Sequence, residues 1–232
     1  MRLQTVYKTL LKQHGHQDWW PGDTPFEIMV GAILTQNTSW RNVEQAIDNL
    51  KANHALDPRK ILATRTAMLA QWLKPSGYFN IKTQRLRNFC KWYLESGGYE
   101  TLRRMQTAHL RKALLSVNGV GLETADDILL YAFKRKVFVI DAYTRRMFSR
   151  LGLVDPDWHY EQLRQYFEDK LHRESVALFC QYHALIVMHG KELCRPKPRC
   201  DDCLLRSRCG ASEAGVNRLR AVRAADRNGR GA

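Results

Sequence analysis

Val117-Asn118-Gly119-Val120-Gly121-Leu122-Glu123-Thr124-Ala125-Asp126 decides how this chain is read, together with Val137-Phe138-Val139-Ile140-Asp141 about one helix further on. Two glycines separated by one residue, placed before a helix start, allow backbone angles closed to other residues, so that successive N–H groups converge on an anion. The helix beginning near Leu122 adds its positive end to the same place. An ordinary tight turn between two packed helices explains Gly119 and Gly121 equally well when they are taken alone. The apolar run 137–140 then delivers a single carboxylate, Asp141, to the edge of a core. Burial there is expected to raise its pKa. Asp141 reads either as a reactive acid or as the cap of a helix starting at Ala142, and the two roles are compatible.

Working outward, apolar spacing is helical nearly everywhere. Thr24-Pro25-Phe26-Glu27 is a capping box with proline at the first helical position, opening the apolar run 26–34. Val43, Ala46, Ile47 and Leu50 follow the i, i+3, i+4, i+7 rule, as do Leu86, Phe89, Cys90 and Tyr93. Leu110, Ala113, Leu114 and Val117 mark another helix, 124–133 the next, and 158–171 and 174–189 two more. Strand alternation is absent, apart from one short extended piece at 137–140, so the class is all-α. Asp57-Pro58, Pro75-Ser76-Gly77, Gly97-Gly98 and Asp155-Pro156 read as breaks.

Lys and Arg number 37 against 23 Asp and Glu, a net +14, and this excess favours a polyanionic partner, nucleic acid first. Five arginines beyond Asn217 place part of the charge in a tail. No apolar run reaches the length needed to span a bilayer and Met1 opens no signal-peptide pattern, so a cytoplasmic protein is expected. Its six cysteines are then expected to be thiols rather than disulfides.

Four of them, Cys194, Cys200, Cys203 and Cys209, form C-x5-C-x2-C-x5-C. Four thiols this close in a reducing compartment point to a metal group. Zinc sites usually pair cysteines in two tight knuckles. Here only the central pair is tight, which favours a [4Fe–4S] cluster held by four thiolates, with zinc as the alternative. Arg195, Lys197, Arg199, Arg206 and Arg208 give the loops a basic character suited to phosphates or to offsetting an anionic cluster. Cys90 and Cys180 sit on apolar helix faces and read as core.

The hairpin Val117-Asn118-Gly119-Val120-Gly121, the Asp141 segment and the C-terminal cysteines, in that order, resemble the endonuclease III family of helix-hairpin-helix DNA glycosylases from about Trp19 to Cys209. Trp19-Trp20-Pro21, the segment 31–38, Pro75-Ser76-Gly77-Tyr78-Phe79-Asn80 and His189-Gly190-Lys191 make it most similar to the bacterial 3-methyladenine branch. The first cysteine gap departs from the family pattern, with five residues where endonuclease III usually has six.

The resemblance implies a two-domain architecture with an iron–sulfur cluster loop. A helical-barrel domain with the hairpin would span 25–133; a second helical domain, 1–24 plus 134–211, would carry the cysteines; and 212–232 would be a disordered basic tail. It implies double-stranded DNA with damaged bases as the partner, a nucleoid-associated location and a monomer. Asp141 becomes the catalytic candidate, and Asn118, Gly119, Val120 and Gly121 the DNA-binding turn.

Where bifunctional members carry a nucleophilic lysine, this chain has Glu123. A carboxylate forms no Schiff base with deoxyribose, so base excision without intrinsic AP lyase activity is expected. Trp19, Trp20, Pro21 and Trp40 would form an electron-rich slot for a cationic base such as 3-methylated adenine, with Lys191 nearby. Trp40 is a larger ring than the phenylalanine common in the branch. Packing tryptophans and an exposed Lys191 are the plainer readings. Gln36 and Tyr78 match the two loops that fill the gap left by a flipped base, against a Gln36 simply hydrogen-bonded to backbone. Another lesion on the same scaffold, and a non-catalytic DNA-binding protein, stand as rival functions.

Overall fold

The computed structural model describes residues 1–17, 19 and 22–213. Trp20, Pro21 and the basic tail beyond residue 213 lie outside the described residues. Among those described, twelve α-helices and no strand occur: α1 (Leu3–His14), α2 (Pro25–Leu34), α3 (Trp40–Ala52), α4 (Pro58–Ala63), α5 (Thr66–Leu73), α6 (Phe79–Glu95), α7 (Gly98–Leu102), α8 (Thr107–Leu115), α9 (Leu122–Asp127), α10 (Ala142–Arg150), α11 (Tyr160–Lys170) and α12 (Val176–Glu192). None of them is long and apolar enough to cross a membrane. The helices group into two compact units, Trp20–Val137 and, formed from both ends of the chain, Met1–Trp19 with Phe138–Ala232.

The unit Trp20–Val137 is built around α2, which buries Ile28, Met29, Val30, Gly31, Ile33 and Leu34 and packs on α3, α6 and α9. A helix apolar on all sides has to be central. Thr24 Oγ1 accepts from the amide of Glu27 at 3.1 Å, as expected of the capping box. The Glu27 carboxylate does not complete it and pairs instead with Lys51 Nζ at 2.7 Å, so one cap joins α2 to α3. Val43, Ala46, Ile47 and Leu50 form the buried stripe of α3. The dipeptide Asp57-Pro58, read as a break, opens α4: Asp57 Oδ1 accepts from the amides of Arg59 and Lys60, and Pro58 takes the first turn, where its missing N–H costs nothing.

Helices α8 and α9 form the hairpin. Arg111 grips Asp126 with two parallel bonds of 2.6 and 3.0 Å, and the Asp126 side chain is fully buried. Beyond Asp127 the expected single helix widens into a π-turn, Ile128–Ala132, closed by the Phe133 amide on the Ile128 carbonyl at 3.2 Å. Lys134, at φ 53°, stops it.

In the other unit, α12 buries Phe179, Tyr182, Ala184, Leu185 and Ile186 and packs on α1 and α10. The Tyr182 hydroxyl donates to the Leu3 carbonyl at 2.8 Å, tying the two ends of the chain. Phe138 stacks on Phe167 with centroids 4.4 Å apart, and Phe148 meets Phe167 edge-on. The extended run 137–140 forms no strand because side chains take its amides: Phe138 N–H donates to Glu168 and Ile140 N–H to the Tyr160 hydroxyl. Cys90 is buried as expected, but Cys180 is only half-buried.

Candidate functional site

Asp141 is the N-cap of α10. Its Oδ1 accepts from the Thr144 amide at 2.6 Å and from the Thr144 hydroxyl at 2.7 Å, while Oδ2 lies 3.5 Å from His183 Nε2. The side chain is 10% exposed. Burial pushes its pKa upward, as expected, but the net direction is downward. The His183 hydrogen bond and charge, with the two Thr144 donors, outweigh the loss of solvent and hold the carboxyl below the usual carboxylate range. The upward expectation fails chiefly because His183, on α12, is invisible from the apolar run that leads to Asp141.

His183, on α12, joins three candidates in this unit. Trp19 lies over its imidazole with centroids 6.0 Å apart and planes inclined 21°, and Lys191 Nζ stands 6.0 Å from the Trp19 ring. Asp141, His183, Trp19 and Lys191 therefore form a row of acid, imidazole, indole and amine. The Trp19–Lys191 distance is within cation–π range. His183 carried no signal of its own in the sequence; it stands on an apolar helix and meets Asp141 only through the packing of α10 on α12.

The unit Trp20–Val137 holds the remaining candidates. Gly119 has φ 99°, and a Cβ there would collide with the Arg85 side chain, so this position requires glycine. Gly121 corrects the expectation for the pair. Its φ is −90° and its ψ −179°, extended backbone open to any residue, and a Cβ would meet open space. The turn is closed by the Val120 amide on the Val117 carbonyl at 3.0 Å, so that N–H is spent internally. No side chain caps α9, which leaves its first-turn amides to be satisfied from outside the helix. Asn118 is exposed, its carbonyl accepting from Asn88. Glu123, also exposed, lines the cleft beside Gly119 and Gly121.

Gln36 is committed to that turn. Its amide nitrogen donates to the Gly119 carbonyl at 3.0 Å and to the Thr124 hydroxyl at 2.9 Å, and its carbonyl oxygen accepts from Arg85. This is the hydrogen-bonded alternative to an inserting glutamine. Tyr78 is different: 66% exposed, at φ 45°, it stands clear at the head of α6, with Ile81 53% exposed one turn later. A strained backbone holding an aromatic ring in solvent points to use. Trp40 donates its indole N–H to Glu44 at 2.9 Å.

Sequence reasoning also missed Lys82. It is 1% exposed, and its amine donates to the carbonyls of Leu34 and Ser76 at 2.7 and 2.6 Å. Burial, then the charge of Arg85, pushes its pKa down to about 8. The two carbonyls immediately precede the segments bearing Gln36 and Tyr78, so one buried amine braces both.

Cys194, Cys200, Cys203 and Cys209 line a single cavity whose remaining wall includes the apolar Met147, Leu151, Leu193 and Leu205 and the basic Arg150 and His189. Among the described residues no group of three or more His, Cys, Asp or Glu side chains stands in metal-holding geometry. Burial, and then the other cysteines of the set, push the Cys203 and Cys209 thiols up. Four sulfurs lining one cavity are a donor set that suits a shared cation. Arg150 donates to Cys194 Sγ at 3.4 Å and His189 Nε2 lies 3.6 Å from Cys203 Sγ, two polar groups already directed at sulfur. The basic loop residues are all exposed; Arg199 pairs with Asp202, and Arg195 and Arg206 donate to the Lys191 and Asp201 carbonyls. Ser212, expected in the tail, is buried and hydrogen-bonded to the Cys209 carbonyl.

The sequence matches the HhH-GPD superfamily of base excision DNA repair proteins over residues 30–173, and the chain belongs to that superfamily. It is 48% identical over 210 residues to a Methanocaldococcus jannaschii protein described as a DNA repair glycosylase, covering 89% of this chain and 95% of that one. Endonuclease III of Sulfolobus acidocaldarius is 26% identical over 186 residues, covering 79% of this chain and 81% of its own. Among solved structures, the H. pylori 3-methyladenine DNA glycosylase MagIII, bound to 1,N6-ethenoadenine, superposes with a TM-score of 0.72 at 28% identity, covering 83% of this chain and 98% of that one. The chain is an endonuclease III-like helix-hairpin-helix protein.

Proposed function

We propose that the protein is a monofunctional DNA glycosylase that hydrolyses the N-glycosidic bond of alkylated purines, 3-methyladenine above all, in duplex DNA. The observation that carries this reading is Asp141: a carboxylate withdrawn from water yet held ionised by Thr144 and His183. Such a charge stabilises an oxocarbenium-like sugar as the base departs and accepts a proton from the attacking water. The electron pair of the broken bond leaves with the base. A 3-methylated adenine is cationic before cleavage and departs neutral, so no acid is needed to protonate it. Trp19, beside Lys191, supplies an aromatic face for such a base, and the family of the H. pylori enzyme supports the choice. Glu123 at the position of the lyase lysine supports hydrolysis without strand cleavage.

The hairpin amides around Gly119 and Gly121 would hold a DNA phosphate, and Tyr78 would fill the gap left by the flipped nucleotide. Cys194, Cys200, Cys203 and Cys209 would hold a [4Fe–4S] cluster in preference to zinc; bound there, it would supply a cross-link that ties the basic loop 194–209 together. Action as a monomer in the nucleoid-associated cytoplasm completes the reading.

The test is excision from duplexes carrying 3-methyladenine, uracil, hypoxanthine or an oxidised pyrimidine, using protein purified without added metal. Alkylated purine should be released from strands that break only after alkali or heat, by a brown protein with broad visible absorption. No release from any duplex would overturn the glycosylase. Strand breakage without alkali would overturn the inference from Glu123, and a colourless protein containing zinc would overturn the cluster.

A further inference from the structure

His183 lies outside the hairpin, the aromatic candidates and the cysteine loop, yet it is the residue through which three of the candidates meet. We propose that His183 is a positioning residue for Asp141: its Nε2 faces Oδ2 at 3.5 Å, and Trp19, stacked on the imidazole, fixes the ring that does so. The inference rests on the glycosylase reading and names a part of that same site.

The geometry gives Asp141 little latitude. An ionised carboxylate offers about four acceptor sites. Thr144 occupies two on Oδ1, through its amide at 2.6 Å and its hydroxyl at 2.7 Å. Those two bonds belong to the helix cap and fix one oxygen. Rotation about the carboxylate's own axis is then decided at Oδ2, where His183 Nε2 stands 3.5 Å away. The imidazole edge bounds Oδ2 on one side and leaves the rest of that oxygen for the reacting sugar or its water. Replacing His183 by an apolar side chain leaves Oδ2 buried without its donor. Burial, which alone pushes the acid upward, then goes less opposed.

Other charges near α12 are directed elsewhere. From α1, Tyr7 packs on Tyr182, and His14 meets His189 at 2.9 Å and Glu192 at 3.4 Å. From α10, Arg145 donates to the Pro156 and Trp158 carbonyls, Arg146 to those of Gly190 and Cys194, and Arg150 to those of Arg195 and Pro196. Tyr143 packs against Gly190. On α12 itself, Lys191 Nζ stands 6.0 Å from the Trp19 ring. Asp141 is the carboxylate at the imidazole edge, so its titration is the one that a change at His183 should move.

The experiment compares wild type, His183→Leu and His183→Asn in single-turnover release of 3-methyladenine between about pH 5 and 8, with DNA affinity and melting temperature measured alongside. A rate that needs Asp141 ionised falls as pH drops through its pKa. Because that pKa is depressed in the wild type, its rate should hold to the acid end of the range. His183→Leu should lose rate by about 10- to 100-fold, the scale of one hydrogen bond to a charged group. Its rate should also fall away at a higher pH than the wild type's, with affinity for lesion DNA within about twofold. His183→Asn, which keeps an N–H donor, should recover most of the rate. A His183→Leu enzyme with wild-type rate and acid limb would overturn the proposal. So would equal losses in both variants with the limb unmoved, the signature of a packing role. If wild type itself releases no base, the glycosylase reading fails first and is separated from this one.

Discussion

Asp126 and Asp141 are two carboxylates on neighbouring stretches of chain, with side chains 0% and 10% exposed. Asp126 closes both oxygens on one guanidinium, Arg111, and so spends its charge in joining α8 to α9. Asp141 spends one oxygen on capping α10 and keeps the other beside His183. Similar burial thus produces a clamp in one case and a poised acid in the other. Partner geometry decides which: a forked cation pins both oxygens of Asp126, whereas a short cap pins one oxygen of Asp141 and leaves the other beside a single imidazole edge.

The contrast is broken most severely at the clamp. Asp126→Asn strands Arg111 beside a neutral amide and should cost about 3–5 kcal/mol of stability, seen as a large fall in melting temperature, while molecules that remain folded keep their excision rate. A rate lost without any change in melting would mean that Asp126, not Asp141, takes part in the reaction. The hairpin turn ahead of both acids gives a smaller effect. Gly119→Ala forces a side chain into Arg85 at a positive φ and should cost about 1–3 kcal/mol, weakening binding to undamaged duplex in parallel. Gly121→Ala, at φ −90° with open space at its Cβ, should change stability by less than about 0.5 kcal/mol. Equal losses at the two glycines in a stability measurement would contradict the geometry of the turn.

Much of this was legible in the sequence, and for identifiable reasons. The apolar runs that became α2 and α12, the stripe of α3 and the cap at Thr24 are local patterns, and local patterns survive folding. Asp141 as a helix cap is local too, set by Thr144 three residues away. What failed was whatever depended on a distant partner. Gln36 reaches Gly119 and Thr124, Lys82 reaches Leu34 and Ser76, and His183 reaches Asp141, each across separations no window contains. The direction of the Asp141 pKa failed for the same reason: burial and the helix cap were legible, but the distant His183 that helps reverse the effect of burial was not. Asp57-Pro58 failed differently, since a helix start and a chain break share the same two residues.

The central claim, that the acid held by a helix cap and an imidazole edge is the one that acts, is tested most directly by single-turnover base release from Asp141→Asn. Asparagine caps a helix about as well as aspartate, so the fold should persist, with a loss of about 1–2 kcal/mol for the missing charged hydrogen bonds. Removal of a preorganised charge should lower the rate by about 10²- to 10³-fold. An Asp141→Asn protein that melts near wild type and releases the base at the wild-type rate would contradict the account.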